Sequence, residues 1–338
     1  MTIGLLSYTN RTSGIGLLAT DSIKWLGVDS MLSVWSVKGQ EHWLPNQVTC
    51  RTPDNDSLIR YLDTYKPDAL LGFETMFREA VYYECRKRGI KTILVIMHES
   101  YRPELPIDLL VCPTQAAYNK VVEPNKVYFP WPIDIDSFPI DNTARETPKY
   151  LHICGHGMRN NRRQTDVVIA GFLMADIPTT LTVRCQRDWR KVYGDVVSPK
   201  IRFELANLPD PRDLYVGHDV LVQPDAYAGY NRVLYEAQAV GLDVITTDAP
   251  PMDECETDWL IVPSKEVYLS PKPSLSCAEA GRTFNTTAYI VSPESVADAV
   301  TKTYAKSTSR QAMRARAEKR AWTTEKAQKF LELLKMWR

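Results

Sequence analysis

Between His218 and Asp248 the stretch HDVLVQPDAYAGYNRVLYEAQAVGLDVITTD sets out a buried strand, a polar loop, a helix, a glycine stop and a second strand. A loop running into a helix N-terminus presents backbone N–H groups and the positive end of the helix dipole, an arrangement suited to a diphosphate. Gly229, Tyr230, Asn231 and Arg232 occupy that loop and the helix start, and Glu236, further into the helix, is placed to accept hydrogen bonds from ribose hydroxyls. Upstream, LHICGHGMRNNRRQTDVVIAGF (Leu151 to Phe172) repeats the order strand, loop, helix, with Gly155 near the strand end and Arg162 and Arg163 before the helix. Guanidinium groups grip phosphate oxygens in pairs, so these arginines suit the same ligand. Near the N-terminus, SYTNRTSGIG (Ser7 to Gly16) brings Asn10, Gly14 and Gly16 into a loop where glycine permits close backbone approach. His98 closes the apolar run TILVIMH, and polar residues at the carboxyl end of a central strand face the ligand crevice of a parallel sheet.

Positioning these residues requires short apolar strands alternating with amphipathic helices, the pattern of a parallel α/β sheet. In the first half, strands are expected at Ile3 to Ser7, Ala69 to Gly72, Thr92 to Met97 and Leu109 to Cys112, with helices running to about Leu26 and from Phe77 to Arg88. Pro-rich sequence from Phe129 to Pro139 and on to Tyr150 reads as an extended connector. A second series follows. Its strands are expected at Tyr150 to Cys154, Thr180 to Cys185, Ile201 to Glu204, Val220 to Gln223 and Asp243 to Thr246, and its helices at Thr165 to Met174, Pro211 to Val216 and Val233 to Val240. Helical segments at Pro293 to Lys306 and Ser309 to Met336 close the chain. The expectation is two Rossmann-like doubly wound domains, residues 1–140 and 141–320, facing a central cleft, with residues 321–338 as a terminal helix returning to the first.

The unit from Asp219 to Gly241 resembles the family-4 retaining glycosyltransferases of GT-B fold, in which a strand leads to an E-G-F-G loop and a helix with E-A-x-A-x-G. Pro224, Gly229, Tyr230, Val233, Glu236, Ala237, Ala239 and Gly241 match, followed by VITTD. Leu151 to Phe172 resembles the donor-diphosphate loop of the same family, with Arg163 at the place of its lysine. FPWPIDIDSFP resembles its linker through Pro132, Asp134 and Phe138, and Ala321 to Trp337 its terminal helix, with Trp322, Phe330, Leu331 and Leu334 as the buried stripe. The resemblance implies transfer of a sugar from a nucleoside-diphosphate sugar to an acceptor hydroxyl, with no permanently bound cofactor and no metal. Asp134 and Asp136 form a D-x-D, but they lie in the connector of a fold that does not depend on metal. His98, Arg163 and Glu236 would be the catalytic residues. Gly14, Gly16, Gly155, Arg162, Gly229, Tyr230, Asn231 and Arg232 would hold the donor, and Glu99 and Asn10 would face the acceptor. Ala228 departs from the pattern: the family has there a glutamate that binds the donor sugar, and Asp225 is the nearest substitute. A phage-type member is within the resemblance, so the acceptor is a saccharide, a hydroxymethylated DNA base or a protein. The alternatives are a GT-B sugar-nucleotide epimerase and, because of Ala228, an inactive nucleotide-sugar-binding module.

Composition bounds these readings. The 338 residues, 44% hydrophobic, exceed one ordinary domain, and 41 basic against 41 acidic side chains argue against obligate binding to nucleic acid or an anionic membrane. Charge is uneven, however: Lys302 to Arg338 holds 11 basic and 3 acidic residues, either one solvated helix face or a surface for a polyanionic acceptor. Seven cysteines without a CxxC pair read as reduced thiols. With no leader-like or membrane-spanning stretch, the expected location is the cytoplasm, that of the host for a phage protein.

Overall fold

The structure is a computed structural model, and it describes residues 1–9, 13–34, 43–50, 54–74, 79–97, 105–155, 162–186, 188–189, 198–205, 208, 210–269, 286–306 and 308–337. The chain divides into two units, each with its own sheet. One holds Met1–Ile133 and Trp322–Arg338, the other Asp134–Leu269 and Thr286–Ala321.

In the first unit the order is β1 (Ile3–Ser7), α1 (Gly14–Leu26), β2 (Ser30–Val34), β3 (Gln47–Cys50), α2 (Asn55–Tyr65), β4 (Ala69–Phe73), α3 (Ala80–Lys87), β5 (Lys91–Val95), β6 (Leu109–Cys112), α4 (Gln115–Lys120) and β7 (Lys126–Tyr128). The seven strands form one sheet in the order β3-β2-β1-β4-β5-β6-β7, every neighbouring pair parallel. Every residue of β1, β4 and β6 is buried, as expected of strands covered on both faces. Helix starts are set locally: Ser13 caps α1 at Gly16 N (3.0 Å), Asp54 caps α2 at Ser57 N (2.6 Å) and Thr114 caps α4 at Ala117 N (3.1 Å).

The second unit runs β8 (Tyr150–Gly155), α5 (Thr165–Ala175), β9 (Leu181–Cys185), β10 (Ile201–Leu205), β11 (Val220–Gln223), α6 (Arg232–Val240), β12 (Asp243–Thr247), β13 (Trp259–Ile261), β14 (Lys265–Leu269), β15 (Thr286–Ile290), α7 (Pro293–Ala305) and α8 (Arg310–Glu318). Its sheet is β10-β9-β8-β11-β12-β13, all parallel, with β14 and β15 as a separate antiparallel ribbon. Both large sheets reverse strand order once, at β1/β4 and at β8/β11, and ligands of such folds collect at the carboxyl ends beside that point.

Two expectations need correction. Ser309 to Met336 is two helices, α8 and a C-terminal helix α9 (Thr324–Met336). They are separated because Trp322 is buried against Trp25, Phe129 and Trp131, its N–H bonds to Ile133 O at 2.9 Å, and Thr323 caps α9 at Lys326 N. Pro211 to Val216 is only a short 3-10 turn, Pro211–Leu214. Strands β2, β3, β7 and β13, helices α2 and α4 and the ribbon β14–β15 have no counterpart among the sequence expectations. Trp322, Phe330 and Leu334 are buried and Leu331 is half-buried. Among the described residues no helix is long and apolar enough to cross a membrane. Six cysteines have free, buried thiols; Cys277 lies outside the described residues.

Candidate functional site

At the carboxyl edge of β8 and β11 the second unit gathers two helix N-termini and six cation- or amide-bearing side chains, Arg162, Arg163, Gln164, Gln223, Asn231 and Arg232. β8 ends at Gly155, whose φ of 59° lies in the left-handed region that glycine enters freely. Arg162, Arg163 and Gln164 lead into α5. The Gln164 side chain is fully buried and acts as a staple: Nε2 donates to Pro224 O (2.7 Å) and Tyr289 O (3.0 Å), while Oε1 accepts from Val291 N (3.0 Å). Arg162 Nε donates to Tyr227 O at 2.9 Å, its guanidinium lies 5.2 Å from the Tyr227 ring centre, and its carbonyl accepts from Ala226 N at 2.7 Å. The α5 entry is thereby tied to the loop after β11.

That loop, Pro224 to Asn231, is buried at every position. Asn231 stands at the N-cap of α6 with φ 54°, where the resembling E-G-F-G pattern has glycine; asparagine is one of the few other residues that tolerate this conformation. In this position its side chain does not cap the helix, and its Nδ2, on a residue only 7% exposed, is without a hydrogen-bond partner. Such a donor, beside the free N–H groups of a first helical turn, can serve an acceptor-rich group such as a phosphate. Arg163 Nη1 pairs with Asp225 Oδ2 and lies 3.4 Å from Asn231 Oδ1.

Glu236 lies one turn inside α6 and is buried. Its Oε1 takes Arg232 Nε in a buried i,i+4 pair, and its Oε2 accepts the Tyr215 hydroxyl at 2.5 Å. Burial, then the neighbouring Glu236 charge, pushes the Tyr215 hydroxyl well above its usual range, so it stays a proton donor to the carboxylate. Beneath the site, His152 Nδ1 donates to Val222 O (2.7 Å) and Nε2 accepts from Thr165 Oγ1 (2.8 Å). Burial, with a smaller contribution from Arg163, pulls its pKa down to about 4 and keeps the ring neutral.

Of the residues singled out from sequence, Gly155, Arg162, Arg163, Gly229, Tyr230, Asn231, Arg232 and Glu236 thus lie on the two β–α segments at the strand-order reversal of one sheet or in the first two turns of α6. Gly14 and Gly16 start α1 at the carboxyl end of β1, and a Cβ on Gly14 would meet nothing within 4 Å. Asn10, His98 and Glu99 lie outside the described residues. Gln164, Gln223, Asp225 and Tyr215 are central to the arrangement; only Asp225 was noticed in the sequence, and as a ligand of sugar. Tyr215 sits in a turn 21 residues before Glu236, with no motif to connect them. Asp134 accepts from Ser137 Oγ, whereas Asp136 points to solvent near Arg314; among the described residues no group of three His, Cys, Asp or Glu could hold a metal.

No protein-family model matches the sequence, and no curated protein does. Solved structures match over nearly the full length. The lipopolysaccharide outer core galactosyltransferase WaaB aligns with a TM-score of 0.63 at 11% identity, covering 99% of both chains. A sucrose-phosphate synthase from Thermosynechococcus elongatus gives 0.70 at 14% identity over 99% of this chain and 98% of its own. Anabaena Alr3699/HepE, solved with UDP and glucose, gives 0.70 at 12% identity over 99% of each chain. The fold is therefore that of the GT-B proteins, two Rossmann-like parallel-sheet domains in one chain.

Proposed function

We propose that this chain is a retaining glycosyltransferase that moves a sugar from a nucleoside-diphosphate sugar to an acceptor hydroxyl, with residues 1–140 on the acceptor side and 141–320 on the donor side. The observation that carries the reading is the orphaned Asn231 amide at the N-terminus of α6, with Arg163 beside it and the buried Glu236 one turn further on. Leaving-group charge grows on the diphosphate in the transition state, and fixed N–H dipoles and guanidinium groups stabilise it without reorganising. Glu236, held by Arg232 and Tyr215, is assigned the ribose hydroxyls. The likeness to a protein solved with UDP and glucose supports a uridine nucleotide. His98, near the donor sugar, keeps the role that the resemblance implies, while Glu99 beside it and Asn10 in the N-terminal loop are assigned to the acceptor side.

For the acceptor, the state of the basic C-terminal stretch is informative. In and just after α8, Arg310 pairs with Asp219, Arg316 with Asp258, Lys319 with Glu256 and Arg320 with Glu254, while Arg314 donates to the carbonyls of Ile135, Phe138 and Ala239. These five cations are already engaged by acidic partners and carbonyls, which lowers the weight of α8 as a phosphate-binding surface and supports a saccharide or protein over DNA. Ala228, fully buried where the family has its sugar-binding glutamate, favours the second reading, a module that binds the nucleotide without turnover.

Incubation with a panel of nucleotide sugars, with and without acceptors, tests both. Diphosphate released only with an acceptor supports transfer. Acceptor-independent product indicates the epimerase, and binding without turnover the inactive module.

A further inference from the structure

The carboxylate of Asp225 stands three residues before Ala228, and its surroundings give it a task other than touching a sugar. Its side chain is fully buried and both oxygens are engaged: Oδ1 accepts from Gln223 Nε2 at 2.7 Å, and Oδ2 takes Arg163 Nη1. Its backbone is held as tightly, with Thr247 Oγ1 donating to its carbonyl at 2.9 Å and its own N–H donating to Gln223 O at 2.9 Å. Gln223 is fixed in turn, since its Oε1 accepts Ile153 N at 3.1 Å, so the anchor is built into β8, β11 and β12. Arg163 differs: its side chain keeps 20% of its surface exposed and reaches Asn231 at the start of α6. Those two contacts use only Nη1 of a planar fork that carries five N–H donors.

We propose that Asp225 is a positioning residue: from the buried edge of β11 it aims the Arg163 guanidinium at the start of α6, where the rest of the fork meets the phosphates of a nucleoside diphosphate. The proposal rests on the diphosphate reading of this site given above. It accounts for a carboxylate at position 225 and none at 228: the negative charge serves the phosphate half of the donor through an arginine, and the sugar half receives no carboxylate from this loop.

Titration calorimetry on the full chain tests it, with UDP, GDP and ADP and the matching nucleosides as probes. Asp225→Asn keeps the shape of the side chain and removes its charge. The expected result is diphosphate affinity weaker by about tenfold, the size of one charge-assisted hydrogen bond, with nucleoside affinity unchanged. In an Arg163→Gln background, adding Asp225→Asn is expected to weaken diphosphate binding no further, because the carboxylate acts only through the arginine. A further loss there shows direct contact with the ligand and overturns the proposal, as does wild-type diphosphate affinity in Asp225→Asn alone. Should that single variant fail to fold, the charge-neutral double variant against Arg163→Gln still decides. If the wild-type chain binds no diphosphate, the site reading falls and the proposal with it; if it binds and Asp225→Asn binds equally well, only the proposal falls.

Discussion

Among single residues, Glu236 is the most heavily committed. Its carboxylate sits between a guanidinium and a hydroxyl in a site almost closed to water, where each hydrogen bond is stronger than at the surface and an unmet partner is costly. Glu236→Ala is expected to weaken nucleoside-diphosphate binding by about tenfold or more, because it removes the ribose contacts and frees Arg232 from its orientation. Calorimetry with UDP is the check, and unchanged affinity would sink the ribose assignment. Tyr215→Phe leaves Oε2 of a buried carboxylate without its donor and is expected to cost about 1–3 kcal/mol of folding stability, read from a urea titration. Loss of less than a few tenths would mean that solvent replaces the hydroxyl. From sequence, the loop and Glu236 were legible because chain-local rules dictate them: glycine at a turn, a helix start, a carboxylate on the helix. Tyr215 and Gln164 were not, because their roles exist only once segments distant in sequence have folded together.

At the scale of elements, α6 is held in register by its end. Gly241 closes the helix with φ 96°, and a Cβ there would lie 2.9 Å from the Cβ of Arg310 and 3.2 Å from its carbonyl oxygen. Gly241→Ala therefore combines backbone strain with a clash against α8, and a loss of about 2 kcal/mol or more in denaturant unfolding is expected. Gly171, where α5 crosses α7, is tighter still: a Cβ would meet Pro293 O and Val296 Cβ at 2.6 Å each. Gly14→Ala is the contrast. With open space around it at the first residue of α1, it should hold or raise stability by up to about 1 kcal/mol, as alanine is the better helix former. If Gly241→Ala, Gly171→Ala and Gly14→Ala lose stability alike, close packing is not what selects glycine at these helices. Gly241 was readable as a helix stop. Its closeness to Arg310 was not, since 69 residues separate the two and only the folded unit brings them together.

For the whole molecule, pH gathers several buried groups into one observable. Burial lowers both His152 and His218 from 6.5 to about 4. The unfolded chain therefore binds more protons than the folded one between pH 6.5 and 4, and the stability these histidines contribute, complete above 6.5, is lost as pH falls through that window. Each should give a slope of about 1.4 kcal/mol per pH unit at its steepest. Urea midpoints between pH 7 and 4.5 test this; a His152→Gln curve falling as steeply as wild type would discount His152. Below that window Asp141 takes over. Burial works against its charge, but hydrogen bonds from Thr143, Arg145 and Gly217 outweigh it and hold the carboxyl well below its usual 3.8, so its contribution is present above 3.8 and lost as pH falls further. Arg145 links Asp141 to Asp219 (2.6 and 3.0 Å), and Arg310 completes the network. Asp219→Ala would leave Arg145 with Asp141 alone and Arg310 without its carboxylate, and is expected to destabilise the protein by about 1–3 kcal/mol, measurable in the same titration.

What the order of amino acids determined by itself was the alternation of strands and helices, two parallel sheets, and the β–α loops at residues 155–164 and 224–231. Apolar periodicity, glycine and proline act over a few residues and need no partner to be read. Only the tertiary structure decided which charges are available. It paired the basic residues of α8 within their own unit, paired Asp225 with Arg163, and left Nδ2 of Asn231 unmatched at the start of α6. The physical reason is that charge and hydrogen-bonding capacity are settled by what each group meets in three dimensions, and those partners come from segments up to about 180 residues away.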